Sequence, residues 1–339
     1  MRGDPMSDRR EEPPPKASLG SWKGLVPVTV AAVTALLIGA GVDVVRGHQR
    51  AAKKEREAKT AADAEKTAPR FVVGVTASGA SLVVRNTRSG QDVGVPVAAP
   101  PGRRFHRVAA VKDGSFIVAS YAARKVTFHR FLLDEDGRPK DLREFPNVVV
   151  PGVSNRWSDL AVSPDGERIA YVTYTGAKGR VDVVSTASGA RKTWMTNAPG
   201  RIGSLSWSGA TLSFVWSPVR VIGGTLRETK HEIRALNTGG PAGDLRLSKA
   251  VFAMPKGSTM AVVSGKTIVV GAASGSQLTL QAYTPDGRPA GSPWRQRVKG
   301  ALTDLDVSPA DGRLLVTAGD LYARNAPPLR GDDFADAAW

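Results

Sequence analysis

Ser163, Asp165 and Glu167 stand within five residues of one another in LAVSPDGERIAYVT, Leu160–Thr173. A serine among carboxylates is the raw material of acyl- or glycosyl-transfer chemistry. A nucleophilic serine, however, needs a positioned base and an oxyanion hole, and its usual G-x-S-x-G elbow lies between a strand and a helix. None of these accompanies Ser163. The same residues suit a type I turn: Ser accepts a backbone hydrogen bond, Pro presets φ, Asp tolerates the bridge region, and Gly follows where φ turns positive. The flanking SDLAV and RIAYV alternate as strands. The turn also recurs with Val111 in place of Ser163 and Asp113 in place of Asp165. The stretch therefore reads as a turn, and no catalytic residue is assigned.

Other chemistry-bearing residues are sparse. His48, His106, His129 and His231 have no partner at metal-ligand spacing, and the last three fall on or beside strand-like runs, where packing is the ordinary role. The absence of cysteine excludes disulfides, thiolate metal sites, a cysteine nucleophile and a lipoprotein anchor. No metal and no cofactor is expected. Asp159, Asp304 and Asp306 lie near innermost strands and would be the acids of a metal-dependent hydrolase or lyase if they converged. Ser163-Pro164-Asp165-Gly166 fails the S-x-D-x-G-x-x-W box at its fifth position. Arg-Gly-Asp occurs at Arg2–Asp4 and Arg330–Asp332, too short a motif to mean adhesion. What remains is a set of basic loops holding aromatics: Arg103, Arg104, Arg156, Trp157, Arg220, Arg227, Trp294, Arg295 and Arg297. Arg with Trp is the pairing enriched in interface hot spots, so these nine are the candidate ligand-binding residues.

The 339 residues carry a net charge of +16. Residues 1–70 hold 13 Lys/Arg against 9 Asp/Glu, so the excess of +12 belongs to the remainder and favours polyanions as partners. Residues 1–24 are Pro-rich and of disordered composition. Leu25–Val42 is uncharged and, with Val44 and Val45, approaches the roughly 20 residues that cross a bilayer. The segment 25–45 is thus expected to be one transmembrane helix. Residues 46–70, rich in Ala, Lys and Glu and ended by Pro69, are expected to form a charged helical stalk. Counted literally, Lys and Arg near the span favour a cytoplasmic C-terminal domain.

From Phe71 the texture changes to short β-branched runs between Gly, Asp and Pro turns. One turn type recurs at Lys112-Asp113-Gly114, Ser163–Gly166, Ser208-Gly209 and Ser308–Gly312. A second recurs at Asn86–Gly90, Asp134–Gly137, Ser185–Gly189, Asn237–Gly240 and Thr284–Gly287. The strands after the first turn are read as SLVVRN or FVVGVT, SFIVASY, RIAYVTY, TLSFVW, TMAVVS and RLLVTAG. A period of about 40–50 residues with four strands per unit marks a β-propeller, and 71–339 has room for about six blades. The first unit lacks an innermost strand and the last thins after its third, so the two ends are expected to complete one blade together.

LAVSPDGERIAYVT, LSWSGATLSFVW and LDVSPADGRLLVTAG resemble the repeats of TolB-like and WD40-like propellers, the TolB-like kind being nearer. The whole plan of tail, span, stalk and RFVVGVTASGASLVVRNTRSGQDVGVPV resembles actinobacterial membrane-anchored propeller proteins, a largely uncharacterised family. That resemblance implies an all-β, six-bladed propeller held outside a cell membrane by a single-pass anchor. The expected function is a non-enzymatic scaffold or receptor module binding a protein or an anionic envelope polymer, with nucleic acid disfavoured. Two alternatives stand beside it: a propeller hydrolase or lyase with an acidic metal site in the central channel, and a cytoplasmic propeller binding anionic lipid or nucleic acid.

Overall fold

The computed structural model describes residues 69–339. The expected tail (1–24) and span (25–45), and the expected stalk up to residue 68, lie outside the described residues. Among those described, no helix is long and apolar enough to cross a membrane.

The chain forms six sheets, each a blade around one axis. Blade 1 consists of Phe334–Ala338, Phe71–Thr76, Ser81–Asn86 and Val97–Ala98, from the axis outward. Blade 2 is Arg104–Ala110, Phe116–Ala122, Lys125–Leu133 and Pro139–Pro151. Blade 3 is Leu160–Val162, Arg168–Thr175, Lys178–Ser185 and Arg191–Met195, with Gly243–Asp244 added parallel at its rim. Blade 4 is Gly200–Ser208, Thr211–Ile222, Glu232–Asn237 and Lys249–Ala253, and Thr225–Glu228 folds back on the end of its second strand. Blade 5 is Ser258–Ser264, Thr267–Ser274, Gln277–Tyr283 and Pro289–Arg297; blade 6 is Asp304–Val307, Leu314–Ala318 and Asp320–Tyr322.

The core is divided among the seams between blades. Ile169 and Tyr171 of blade 3 pack on Ile117 and Phe128 of blade 2. Their neighbours Ala170, Val172 and Tyr174 pack on Ile202 and Phe214 of blade 4. Side chains alternate across a strand, so a middle strand covered on both faces must be apolar at every position. That is why IAYVTY, with Thr173 its one polar member, is buried throughout. The remaining four seams each hold a cluster of the same kind, so a blade is stable only between its neighbours.

The expected closure is present. The C-terminal strand pairs with the first one through Val73↔Ala338, Gly74↔Ala337 and Val75↔Asp336. Arg85, 1% exposed, locks the approach: its Nε donates to Asp92 Oδ1 at 2.7 Å and its Nη2 to Asp333 Oδ2 at 2.9 Å. Its guanidinium lies 4.5 Å from the centre of the Phe334 ring. The ring thus closes within the described residues, through the pairing of Phe71–Thr76 with Phe334–Ala338.

Ser163 forms the expected turn. Gly166 N donates to Ser163 O at 2.8 Å, Arg168 N donates to Ser163 Oγ at 2.9 Å, and Gly166 has φ +72°. The Ser163 hydroxyl is spent on Asp165. Two readings need correction. TMAVVS belongs to the innermost strand of blade 5, and Thr267–Ser274 is its second strand. The turn between them, Gly265-Lys266, lacks the Asp-Gly signature, so the repeat was aligned one strand early. The candidate loops are in part strands: SPWRQR belongs to the outer strand Pro289–Arg297, Arg104 opens Arg104–Ala110, and Arg220 and Arg227 lie on Thr211–Ile222 and Thr225–Glu228.

Closure depends on the absence of a side chain at Gly74, where an added Cβ would stand 2.6 Å from the Phe334 ring. Gly74→Ala is expected to destabilise the propeller by about 1–3 kcal/mol through overpacking. Adding Phe334→Leu should recover part of that loss in denaturant titrations; no recovery would mean that this contact does not set the fit.

Candidate binding face and the acidic channel

Chain direction sorts the loops. Segments that lead into innermost strands, and turns joining second to third strands, meet at one face. Gly200 N donates to Ala177 O at 2.9 Å, Gly152 N to Arg124 O at 2.8 Å and Val298 N to Ser276 O at 2.8 Å. The two recurrent turn types lie at the other face.

Six of the nine candidate residues share the first face. Arg103 is spent on architecture: Nε donates to Ser120 Oγ and Nη2 to Ser120 O, both at 2.8 Å. Arg104 is exposed at the start of its strand. Trp157 is half-buried against the core between blades 3 and 4 and lies between two guanidiniums, Arg156 at 4.8 Å and Arg201 at 5.0 Å. Arg201 is ion-paired with Glu228, whose other oxygen is 2.5 Å from His231 Nε2. Arg220 and Arg227 face each other across the blade 4 hairpin. The remaining three stand apart. Trp294 packs into the seam between blades 5 and 6, while Arg295 and Arg297 are exposed along the outer strand of blade 5.

The structure brings Asp159, Asp304 and Asp306 together at the axis and adds two residues that the sequence reading did not single out, Arg107 and Asp336. Aligning the innermost strands as HRVAAV, SDLAVS, GSLSWS, TMAVVS and TDLDVS puts Arg107, Asp159, Ser204, Met260 and Asp304 in one slot. Asp336 fills that slot in blade 1. Its Oδ2 accepts from Val108 N of blade 2 at 2.7 Å, as Asp159 Oδ2 accepts from Leu205 N of blade 4 at 2.9 Å. Ser204, with φ +52° at a bulge, accepts from Ala261 N of blade 5 at 3.4 Å. Innermost strands have an open edge, and the slot residue of one blade caps an edge N–H of the next. Arg107 uses the slot differently. Nη1 pairs with Asp336 Oδ1 at 3.0 Å, Nε donates to Ser158 O at 2.6 Å and Nη2 to Arg156 O at 3.1 Å, joining blades 1, 2 and 3.

Blade 6 breaks the pattern. Among the described residues no donor reaches the Asp304 carboxylate, and Asp306 Oδ2 is buried without a partner. Burial, then the carboxylates of Asp336 and Asp159, push Asp304 well up. Burial and the same two neighbours outweigh a hydrogen bond from Val307 N and raise Asp306 to about 8. Burial also opposes the charge of Arg107, but Asp336, Asp159 and Asp304 outweigh it and raise its pKa. No three described His, Asp or Glu side chains stand together as metal ligands would.

His106 and His129 are built into the packing. Burial, then Arg107, lowers His106 to about 3, and its Nδ1 lies 3.2 Å from Tyr171 Oη. His129 is core, 2.8 Å from Ser120 Oγ, and His48 lies outside the described residues. On the opposite face a groove of about 310 Å³ opens between blades 2 and 3, walled by the Ser163 turn. Its charged pair, Asp113 with Arg130, is already mutually satisfied.

These six sheets define a six-bladed β-propeller. No protein-family model matches the chain, and no curated protein does. Among solved structures it is similar to a functionally unknown protein from Desulfotomaculum acetoxidans at 12% identity, covering 77% of this chain and 94% of that one, TM-score 0.48. It is also similar to TolB from Acinetobacter baumannii (14% identity, 79% and 66% covered, TM-score 0.44). A third is the Neurospora crassa Pan2 WD40 domain (14% identity, 74% and 69% covered, TM-score 0.44). These are likenesses of chain path; the blade count rests on the sheets themselves.

Two outcomes follow from the channel. Asp306 is held above its unfolded value near 4, so protonation favours the folded state. Its stabilising contribution is complete below about pH 4 and is lost as pH rises through about 8; Asp304 acts in the same direction. His106 and His129, held below the free value by burial, act the other way only below about pH 7, so residues 69–339 should melt higher at pH 7 than at pH 8.5, and Asp306→Asn should raise stability at pH 8.5 and flatten the slope. A melting temperature that climbs over this window would refute the assignment. Asp336→Ala should cost about 3 kcal/mol at pH 8.5, above the value of about 6 to which burial raises this carboxyl, because it strands the Val108 N–H and the Arg107 guanidinium.

Proposed function

We propose that this propeller is a non-enzymatic scaffold, anchored in the cell membrane by 25–45 and held outside the cytoplasm, which engages an acidic protein through its basic face. The observation that carries this reading is the distribution of charge. The segments and hairpin of that face hold Arg156, Arg220, Arg227 and Lys256 as exposed cations, while the recurrent Asp-Gly turns gather exposed acids on the other. A face of one sign steers an oppositely charged partner and raises its on-rate. Trp157, fixed between Arg156 and Arg201, supplies a rigid aromatic anchor of the kind that dominates interface energetics. A propeller is also a common platform for binding, although the fold alone does not set the function.

A second reading draws on blade 6. Asp304 and the unpartnered Asp306 oxygen are carboxylates that the architecture leaves unused, as a hydrolase or lyase would require. Loss of thermal stability on chelation would favour it.

Location is tested with a unique thiol. Ser188 is exposed at the tip of its turn, whereas Gly166 is strained at φ +72° with Val111 Cγ1 3.3 Å from any added Cβ, so Ser188→Cys is the position of choice. A membrane-impermeant maleimide should label it in intact cells; labelling only after lysis would put the propeller in the cytoplasm. In the same cells, a photo-crosslinking residue at position 156 should give a discrete protein adduct that the same residue at position 188 does not. Equal adducts from both faces, or a polymer smear, would sink the protein-binding reading.

A further inference from the structure

The hairpin of blade 4 outgrows its sheet. Pairing with the innermost strand ends at Gly200↔Pro218 and pairing with the third strand ends at Trp216↔Glu232, so 219–228 forms a two-stranded arm beyond the sheet. At its base Val219 N donates to Pro199 O at 3.2 Å, and Val219, Leu226 and Glu228 line a small pocket with Trp157 and Ala177. Gly223 and Gly224, at φ +58° and +76°, close it with a two-residue turn whose twist suits the strands.

The arm is stratified along its length. The outermost rung is Ile222↔Thr225, the next is Val221↔Leu226, and the third is Arg220↔Arg227. Val221 is 69% exposed, Ile222 52% and Leu226 53%. A free two-stranded ribbon is marginally stable in water, and like charges directly opposite one another destabilise it further. Neither Arg220 nor Arg227 has an ion-pair partner among the described residues. The free protein therefore carries two uncompensated costs on one arm, apolar side chains in water and an unrelieved pair of cations, and one environment relieves both.

We propose that 219–228 is a membrane-inserting arm that places Val221, Ile222 and Leu226 in an anionic bilayer and its arginine rung among the lipid phosphates. At about 3.4 Å per residue the two rungs and the turn reach roughly 7–10 Å, the depth at which interfacial segments sit. The distribution around the tip selects lipid over a protein groove. Ile222 lies on the same face of the ribbon as the arginines, and Val221 and Leu226 lie on the other, so exposed apolar side chains stand on both faces of the tip. The surrounding cations, Arg156 among them, add the attraction to anionic headgroups that basic segments show near a membrane surface. This goes beyond the scaffold reading and does not rest on it.

The test uses residues 69–339, the self-closed propeller, with vesicles of phosphatidylcholine alone or with one third phosphatidylglycerol. The protein should float with the anionic vesicles and not the neutral ones. Emission from an environment-sensitive dye on Ile222→Cys should shift to the blue on binding, while the same dye on Ser188→Cys should not change. Val221→Ser/Ile222→Ser/Leu226→Ser should weaken binding by at least about tenfold. Arg220→Glu/Arg227→Glu should abolish it, both variants keeping the parental melting temperature. Failure to float with either vesicle, binding without a dye shift, or binding indifferent to these substitutions would overturn the proposal.

Discussion

Everything in this propeller depends on the pairing of Phe334–Ala338 with Phe71–Thr76. Each seam holds only a small cluster, and a blade exposes an apolar face wherever it lacks a neighbour. An open ring would leave two such faces, of blades 1 and 6, in water. The closing strand removes both at once: Phe334, Ala337 and Trp339 join the seam with blade 6, while Ala338 joins the seam with blade 2. Because its partner lies more than 250 residues earlier in the chain, this contact bears the largest loop-closure entropy in the fold. That cost explains the concentration of specific devices around it, namely the buried Arg85 with its two aspartates, the ring stacked beneath it and the glycine that makes room.

The closing strand also links the outer architecture to the axis. Asp336 caps Val108 N and pairs with Arg107, and Arg107 reaches the carbonyls of Arg156 and Ser158 ahead of blade 3. One ion pair thus holds three consecutive blades in register. The six slots are otherwise filled with polar groups of limited reach, and blade 5 offers only Met260. The excess of carboxylate over guanidinium is met by raising the carboxyl pKa values, and among the described residues Arg107 is the cation that holds Asp336 and Asp159 beside it. The channel is therefore a structural solution whose unmet demand collects in blade 6, where Asp304 lacks the donor that Asp159 and Asp336 have and one Asp306 oxygen is buried without a partner.

How far the sequence could be read depended on the range of the interactions involved. The turns were legible because their chemistry is local: Ser163, Asp165 and Gly166 make nearly all of their bonds to one another or to Arg168. The missing innermost strand of the first unit was legible because a four-strand repeat leaves a countable gap. The channel was not, because Arg107, Asp159, Asp304 and Asp336 meet only after closure, and HRVAAV does not resemble TDLDVS until strand register aligns them. The arm was half legible. Arg220 and Arg227 were visible as cations, but only the hairpin register shows that they oppose one another with two apolar rungs beyond. Trp294 misled because a proline and two arginines gave an outer strand the composition of a loop.

The asymmetry of charge follows from the fold and requires no separate cause. The turns that join first to second and third to fourth strands need aspartate to bridge their backbone and glycine to reverse it, so acids accumulate at that face for architectural reasons. Many are neutralised by an arginine of the same blade, as in Asp113 with Arg130, Asp165 with Arg168, Asp286 with Arg288 and Asp311 with Arg313. The other face is built from segments held by backbone-to-backbone bonds between neighbouring blades, which impose no acid. A chain whose folded part carries a large positive excess must then display it there. The binding face is thus set by where the turns consume their aspartates, and its specificity is left to the few side chains that rise above it, Trp157 between its two arginines and the arm of blade 4.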